Sequence, residues 1–312
     1  MEKEEEIRIQ FLGFYGIFRE SFTIAFFCRN KLFGQITIAT IFPLSLIFLL
    51  RAQFFEFMET LISLEKIGIS LIKIAYFIFF IALSMLSTCV VVYAVACSYT
   101  KKADITFVEV ISVVPKVWRR VTVTLIWSFI LVLVYNMIAF SILLPWLASL
   151  NPSMTKPVVL GSLFAIYMMG FVYISIVWHL ASVVSVLEED CGIEAMIKGK
   201  ALVKGKTVIS FAVFFFMSSC FVLIEMVFQR FVVHGESFWS EIGYGIICFF
   251  LLSGFTLLGL VVQTLVYMVC KLNHREIIDE SCLLANHLEV YLGDYVSLRS
   301  KDVQLEQVYV IN

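Results

Sequence analysis

Two stretches of this chain hold residues at spacings that enzymes use. His274 and Asp279 stand in a His-x4-Asp arrangement, in which a carboxylate orients a histidine to deprotonate a hydroxyl during acyl transfer. No further acyltransferase block accompanies the pair, and the residues around it read as a solvated, charge-rich helix beside an apolar segment. Gly199–Thr207 reads Gly-Lys-Ala-Leu-Val-Lys-Gly-Lys-Thr, with five residues between its glycines. A phosphate-binding P-loop requires four there and follows a buried strand, whereas this stretch precedes an apolar run and puts Lys200 where a glycine belongs. The four histidines, His179, His234, His274 and His287, form no His-Glu-x-x-His pair, and no Cys-x-x-Cys occurs. The ligand spacing of a zinc site is missing. The expectation is a protein without catalytic residues, metal or cofactor.

A second set of polar residues lies inside long apolar runs, where such groups are costly and often functional. His179, Asn136, Glu225 and Gln263 are its members. A neutral His179 bonding across helices competes with a proton-relay role. Glu225 stands near a run's end, where it reaches the interface or pairs with Arg51 or Arg230.

The elements that carry these residues follow from composition. Of 312 residues 61% are hydrophobic and only 15% charged, with 31 phenylalanines and a mean hydropathy of +0.96. Soluble chains are about 45–50% apolar and about 25% charged, so lipid is the solvent for most of this surface. Six runs are long enough to cross about 30 Å of hydrocarbon: 32–50, 74–97, 121–144, 158–186, 207–228 and 242–270. Strand-like alternation is missing, which excludes an outer-membrane barrel. The expected fold is all-α, a polytopic bundle of six transmembrane helices. It divides into an N-terminal segment (1–31), a transmembrane domain (32–270) and a C-terminal tail (271–312). Net charge is −1, which argues against nucleic-acid binding.

Lys and Arg fall 18 on one side of the spans and 5 on the other. The positive-inside rule then puts both termini in the cytosol, in the plasma membrane or an endomembrane. The acidic start Met1–Glu6 is unlike a signal-peptide n-region, so the first span serves as an uncleaved anchor. No cysteine lies in a loop of the opposite side, and no disulfide framework is expected. Cys97 and Cys270, at cytosolic helix ends, suit either palmitoylation or small buried packing.

The odd-numbered spans begin at 32, 121 and 207, intervals that suggest a threefold repeat of an interfacial helix followed by a transmembrane hairpin. The interfacial segments are Tyr15–Lys31, Asp104–Arg120 and Cys191–Lys206. In the second, Phe107, Val110, Ile111, Val114 and Trp118 share a helical face, and Pro115 kinks or ends the helix. Lys116, Arg119, Arg120, Lys204 and Lys206 are placed to meet anionic lipid, at about 1 kcal/mol each.

Three stretches carry a resemblance. They are Ser98–Thr100 with Val113–Arg120; Val184–Glu189 with Gly192–Met196 and Leu202–Lys206; and Leu288–Val296. Together they resemble a plant family of uncharacterised multi-pass membrane proteins, over nearly the whole chain. The middle stretch is also similar to the membrane domain attached to some bacterial glycerophosphodiester phosphodiesterases, with Gly199 where that pattern more often has Ser. The resemblance implies six spans and a cytosolic tail and lends no activity. The resulting expectation is a non-enzymatic scaffold or lipid-interacting component, with membrane lipids as partners and the tail as the segment open to a protein partner. The alternatives are a transporter or channel for a small or apolar solute, and a membrane-embedded lipid enzyme using His274 and Asp279. A polar cavity reaching His179 and Asn136 favours transport, and a dry, Phe-filled bundle counts against it.

Overall fold

The structure, a computed structural model, describes residues 13–28, 30–61, 66–99, 106–148, 156–233 and 238–274. Helices account for nearly all of them, and no strand occurs among the described residues. In chain order the helices are α1 (Phe14–Thr23), α2 (Asn30–Ile36), α3 (Phe42–Leu61), α4 (Lys66–Tyr99), α5 (Phe107–Ala148), α6 (Lys156–Leu187), α7 (Ile193–Val203), α8 (Thr207–Phe228) and α9 (Phe238–Asn273). Among the described residues six stretches are long and apolar enough to cross a membrane: Lys31–Arg51, Leu71–Tyr99, Phe107–Pro145, Val158–Leu187, Thr207–Val233 and Trp239–Asn273. The protein is a multi-pass, all-α integral membrane protein.

Lipid offers no hydrogen bonds, so each span must satisfy its own backbone. Its hydroxyls do the same. Thr40, Ser87, Thr124, Ser128, Ser253 and Thr264 each donate to the carbonyl four residues earlier, at 2.7–3.1 Å. This bonding lets a polar side chain sit in an apolar helix without an interhelical partner.

Pro43 shapes the first span. Its ring cannot donate and crowds the carbonyl four residues back. Immediately upstream, Thr37–Ile41 widens into a π-helical turn, a common way for a helix to absorb such a defect. A second π-turn, Ile24–Cys28, follows α1.

The core lies toward the end of the bundle where α4, α6 and α9 carry their C-termini. Every residue from Cys89 to Cys97 is buried, as are Val183, Val184, Val261, Leu265 and Cys270. A stretch of helix that is apolar all round and surrounded by neighbours is expected in such a place. Toward the opposite end α5 and α6 turn Leu133, Met137, Phe140, Ile166 and Met169 outward, the surface a lipid tail would cover.

The three segments preceding the odd spans differ from one another. Asp104–Arg120 does not form a separate interfacial helix, because α5 runs unbroken through Pro115 from Phe107 to Ala148. The reason is burial. Val110, Val113, Val114, Val117 and Val121 make one continuous buried stripe across the expected boundary, and packing along it outweighs the hydrogen bond lost at Pro115. Ile111, expected on that stripe, is 38% exposed. In the first segment α1 runs on into the π-turn Ile24–Cys28, and α2 runs on through Thr37–Ile41 into α3. The third, α7, is set apart by a turn at Lys204–Lys206.

Candidate functional site

Spans one, two, four, five and six line a partly open cavity of about 280 Å³. Its walls are mostly apolar, with Phe80 and Met217 among them, and its polar patch includes Ser45, Thr256, His179 and Gln263. No Asp, Glu, Lys or Arg lines it. Span three contributes none of the lining.

His179 and Gln263 form a closed pair between α6 and α9. His179 Nδ1 lies 3.0 Å from Gln263 Oε1, and Gln263 Nε2 donates to the His179 carbonyl at 3.1 Å. The imidazole lies nearly parallel to the rings of Trp178 and Phe214, at centroid distances of 5.7 and 5.2 Å. The bond at Nδ1 and the two rings orient the imidazole, and the bond to the backbone carbonyl holds Gln263 in place. Ser45 Oγ, fully buried, makes no hydrogen bond among the described residues.

Asn136 does not reach this cavity. It donates to the Val132 carbonyl at 2.8 Å and accepts from the Tyr167 hydroxyl at 2.8 Å. Tyr135 completes a small network by donating to the Tyr167 carbonyl and stacking on the Tyr167 ring. A Cβ at Gly170 would strike the Tyr135 hydroxyl, so glycine there lets Tyr135 lie across α6. These contacts hold α5 to α6 and leave Asn136 a structural role.

Glu225 pairs with Arg51, one of its two expected partners, at 2.6 Å. Gln229 also donates to it, at 3.4 Å, and the Arg51 guanidinium sits 4.2 Å from the centre of the Phe48 ring. The pair ties span five to span one.

A second polar cluster occupies the basic end of the bundle and centres on Glu188, just beyond span four. Glu188 Oε1 accepts from Lys271 Nζ at 2.6 Å and from the Tyr267 hydroxyl at 2.5 Å. Glu188 Oε2 lies 2.5 Å from Lys198 Nζ, which also reaches Asp190 at 3.0 Å. Arg120 donates to the Glu188 carbonyl at 2.9 Å. One carboxylate thus joins α6, α7 and α9, and its backbone holds α5. Burial pushes the Glu188 carboxyl up, but the bonds from Lys198, Lys271 and Tyr267 outweigh it and leave the group below its ordinary value. For Lys198, burial works against the charged ammonium, and the Glu188 and Asp190 carboxylates overcome it and raise the group above the usual lysine value.

Two glycines allow the chain to turn back at this cluster. Gly192 adopts φ +64°, a left-handed conformation that suits glycine, and its N–H donates to Thr124 Oγ1 at 2.8 Å. Thr124 Oγ1 is itself 2.6 Å from Ser185 Oγ. Gly199 lets α7 lie directly on α6: a Cβ there would stand 3.2 Å from the Ala181 nitrogen and 3.3 Å from the Val177 carbonyl oxygen.

The basic residues expected at the lipid surface divide into two groups. Lys116, Arg119 and Lys204 are exposed, and Lys206 is half-buried. Arg120 is engaged by Glu188, and so are Lys198 and Lys271, which in the sequence counted only as topological charges. The His274 ring Nε2 lies 2.9 Å from the Lys204 carbonyl, where it braces the turn before span five. Asp279 and the tail beyond it lie outside the described residues. No group of three metal-ligating side chains occurs among the described residues.

Sequence reasoning missed Ser45 and the Glu188 cluster. For Glu188 a signal existed, an acidic residue directly abutting an apolar run. Ser45 carried none, since its importance comes from neighbours on four other spans.

No curated protein and no solved structure matches the chain. A family profile described as a domain of unknown function does match, over residues 1–67 and 55–308. With nearly its whole length covered, the chain belongs to that family, DUF8558.

Proposed function

We propose that the protein is a non-enzymatic, lipid-binding component of its membrane, and that its cavity houses a molecule with a mainly apolar body. The cavity carries this reading. Left empty, this apolar hollow of about 280 Å³ would leave its lining side chains without packing partners on one side. Water is a poor filling, because bound waters need two to four polar partners each and most of the wall surface is apolar. A hydrocarbon body fills it without that penalty.

The basic end is the cytosolic end in this proposal. Lys116, Arg119, Lys204 and Lys206 there meet anionic headgroups, each adding about 1 kcal/mol near the surface. Carriage of an apolar solute across the bilayer is the second reading, favoured by His179 on the cavity wall and weakened by the position of Asn136. A lipid enzyme has less support, since the His274 ring is occupied with the Lys204 carbonyl.

The test is lipid carried through purification. Thr256→Trp and Gly259→Phe project bulk into the cavity. If the protein holds a lipid there, the bound lipid seen by native mass spectrometry falls in both variants while the fold persists. Unchanged lipid content in both would defeat the proposal.

A further inference from the structure

The polar patch of the cavity selects among lipids, an inference that rests on the lipid-binding reading. Gln263 decides the chemistry. Its Nε2 donates to the His179 carbonyl, so its Oε1 is the atom facing His179 Nδ1. A carboxamide oxygen only accepts, and Nδ1 must therefore carry the ring's proton. In the neutral imidazole Nε2 is then a bare acceptor, and among the described residues no donor is recorded at it. The flanking Trp178 and Phe214 rings keep the imidazole from turning away. The second polar group is Ser45, which lines the same cavity and whose buried Oγ has no hydrogen-bond partner among the described residues. A buried hydroxyl with no partner is unusual and is free to donate to an incoming oxygen.

The ligand's headgroup must match this pair. It has to donate one hydrogen bond, to His179, and accept one, from Ser45. It also has to be uncharged, because no ionisable lining residue other than His179 is present to balance it, and an unpaired charge in a site with mostly apolar walls is strongly disfavoured. We propose that the cavity takes a neutral lipid bearing a free hydroxyl, a sterol or a diacylglycerol, whose O–H donates to His179 Nε2 while its oxygen accepts from Ser45 Oγ. Ethers and esters lack the donor. Fatty acids, phosphatidic acid and sterol sulfates bring a charge.

The experiment uses the full chain in phosphatidylcholine nanodiscs and measures saturable binding of labelled cholesterol and dioleoylglycerol. Cholesteryl methyl ether, cholesteryl sulfate and phosphatidic acid are the comparison ligands. At least one alcohol is expected to bind, and the one that does identifies the source of the hydroxyl. The methyl ether and the charged lipids are expected to bind about tenfold more weakly, roughly 1.4 kcal/mol. His179→Phe keeps the ring stack and should lower the alcohol's affinity to that of the ether, leaving the ether unaffected. Equal binding of alcohol and ether to the unaltered protein overturns the hydroxyl assignment and spares the lipid-binding reading. If none of these lipids binds saturably, both fall.

Discussion

Lys271 and Glu188, 83 residues apart in the chain, meet at 2.6 Å with both side chains about nine-tenths buried. Lys198 closes the other carboxylate oxygen, so a single acidic residue gathers two lysines from different helices. Breaking such a buried pair leaves a charge without its partner, at a cost of about 3–5 kcal/mol, whereas removing both members together costs much less. Glu188→Gln and Lys271→Met should each lower thermal stability in detergent by that order. The Glu188→Gln, Lys271→Met double variant should lose clearly less than the two effects combined. Strict additivity in this cycle would show that the two side chains do not interact.

The cluster also sets a pH window. The Glu188 carboxyl titrates below its ordinary value in the folded protein. Its stabilisation is therefore complete above the unfolded value of about 4.3 and is lost as pH falls through the folded value. Lys198 is raised, so its contribution is complete below the unfolded lysine value and is lost only as pH rises beyond it. The stability gap between the unaltered protein and Glu188→Ala should be flat through neutrality and should close in acid, below about pH 4. Melting curves across that range measure it. A gap that closes near pH 6 would implicate another group.

Gly199 is the contact on which α7 rests. A methyl group there has only backbone to meet, at 3.2 Å from the Ala181 nitrogen, and backbone cannot swing aside as a side chain can. Gly199→Ala should destabilise by about 1–3 kcal/mol through overpacking, and Gly199→Leu should detach α7. Protease access to the 188–206 stretch reports the detachment. Unchanged protection in Gly199→Leu would mean that α7 does not lie on α6.

Arg51 and Glu225 are predicted to matter less. Their side chains remain 41% and 24% exposed, and pairs of this kind contribute at most about 1 kcal/mol. Glu225→Gln should change the melting midpoint little. A loss comparable to that of Glu188→Gln would show that the Arg51–Glu225 pair is sealed from water.

The spans were legible in the sequence because lipid imposes a length and an apolar composition that few other environments require. All six lie where the apolar runs do; α8 coincides with its run, and α4, α5, α6 and α9 extend past theirs at both ends. The 18-to-5 division of basic charge gave a direction. It could not show that Lys198, Lys271 and Arg120 are used inside the protein, since a charge count is blind to partners. Periodicity failed at Asp104–Arg120 for a related reason: a valine stripe facing other helices has the same spacing as one facing lipid. Glu225 found an expected partner because its depth near the span end limited the choice to two arginines. His179 was visible as an intramembrane polar residue, and so was Gln263. Their bond was not, because it depends on the relative rotation of α6 and α9. The cavity itself has no sequence signature.

Occupancy of that cavity can be measured directly by photolabelling in nanodiscs with a diazirine-bearing sterol or diacylglycerol, followed by mass-spectrometric mapping of the labelled residues. Labels are expected on Phe80, Met217 and Thr256, and they should vanish from these positions in Gly259→Phe. Labelling confined to outward-facing residues such as Phe140 and Met169, with the cavity residues untouched, would contradict lipid binding within the bundle.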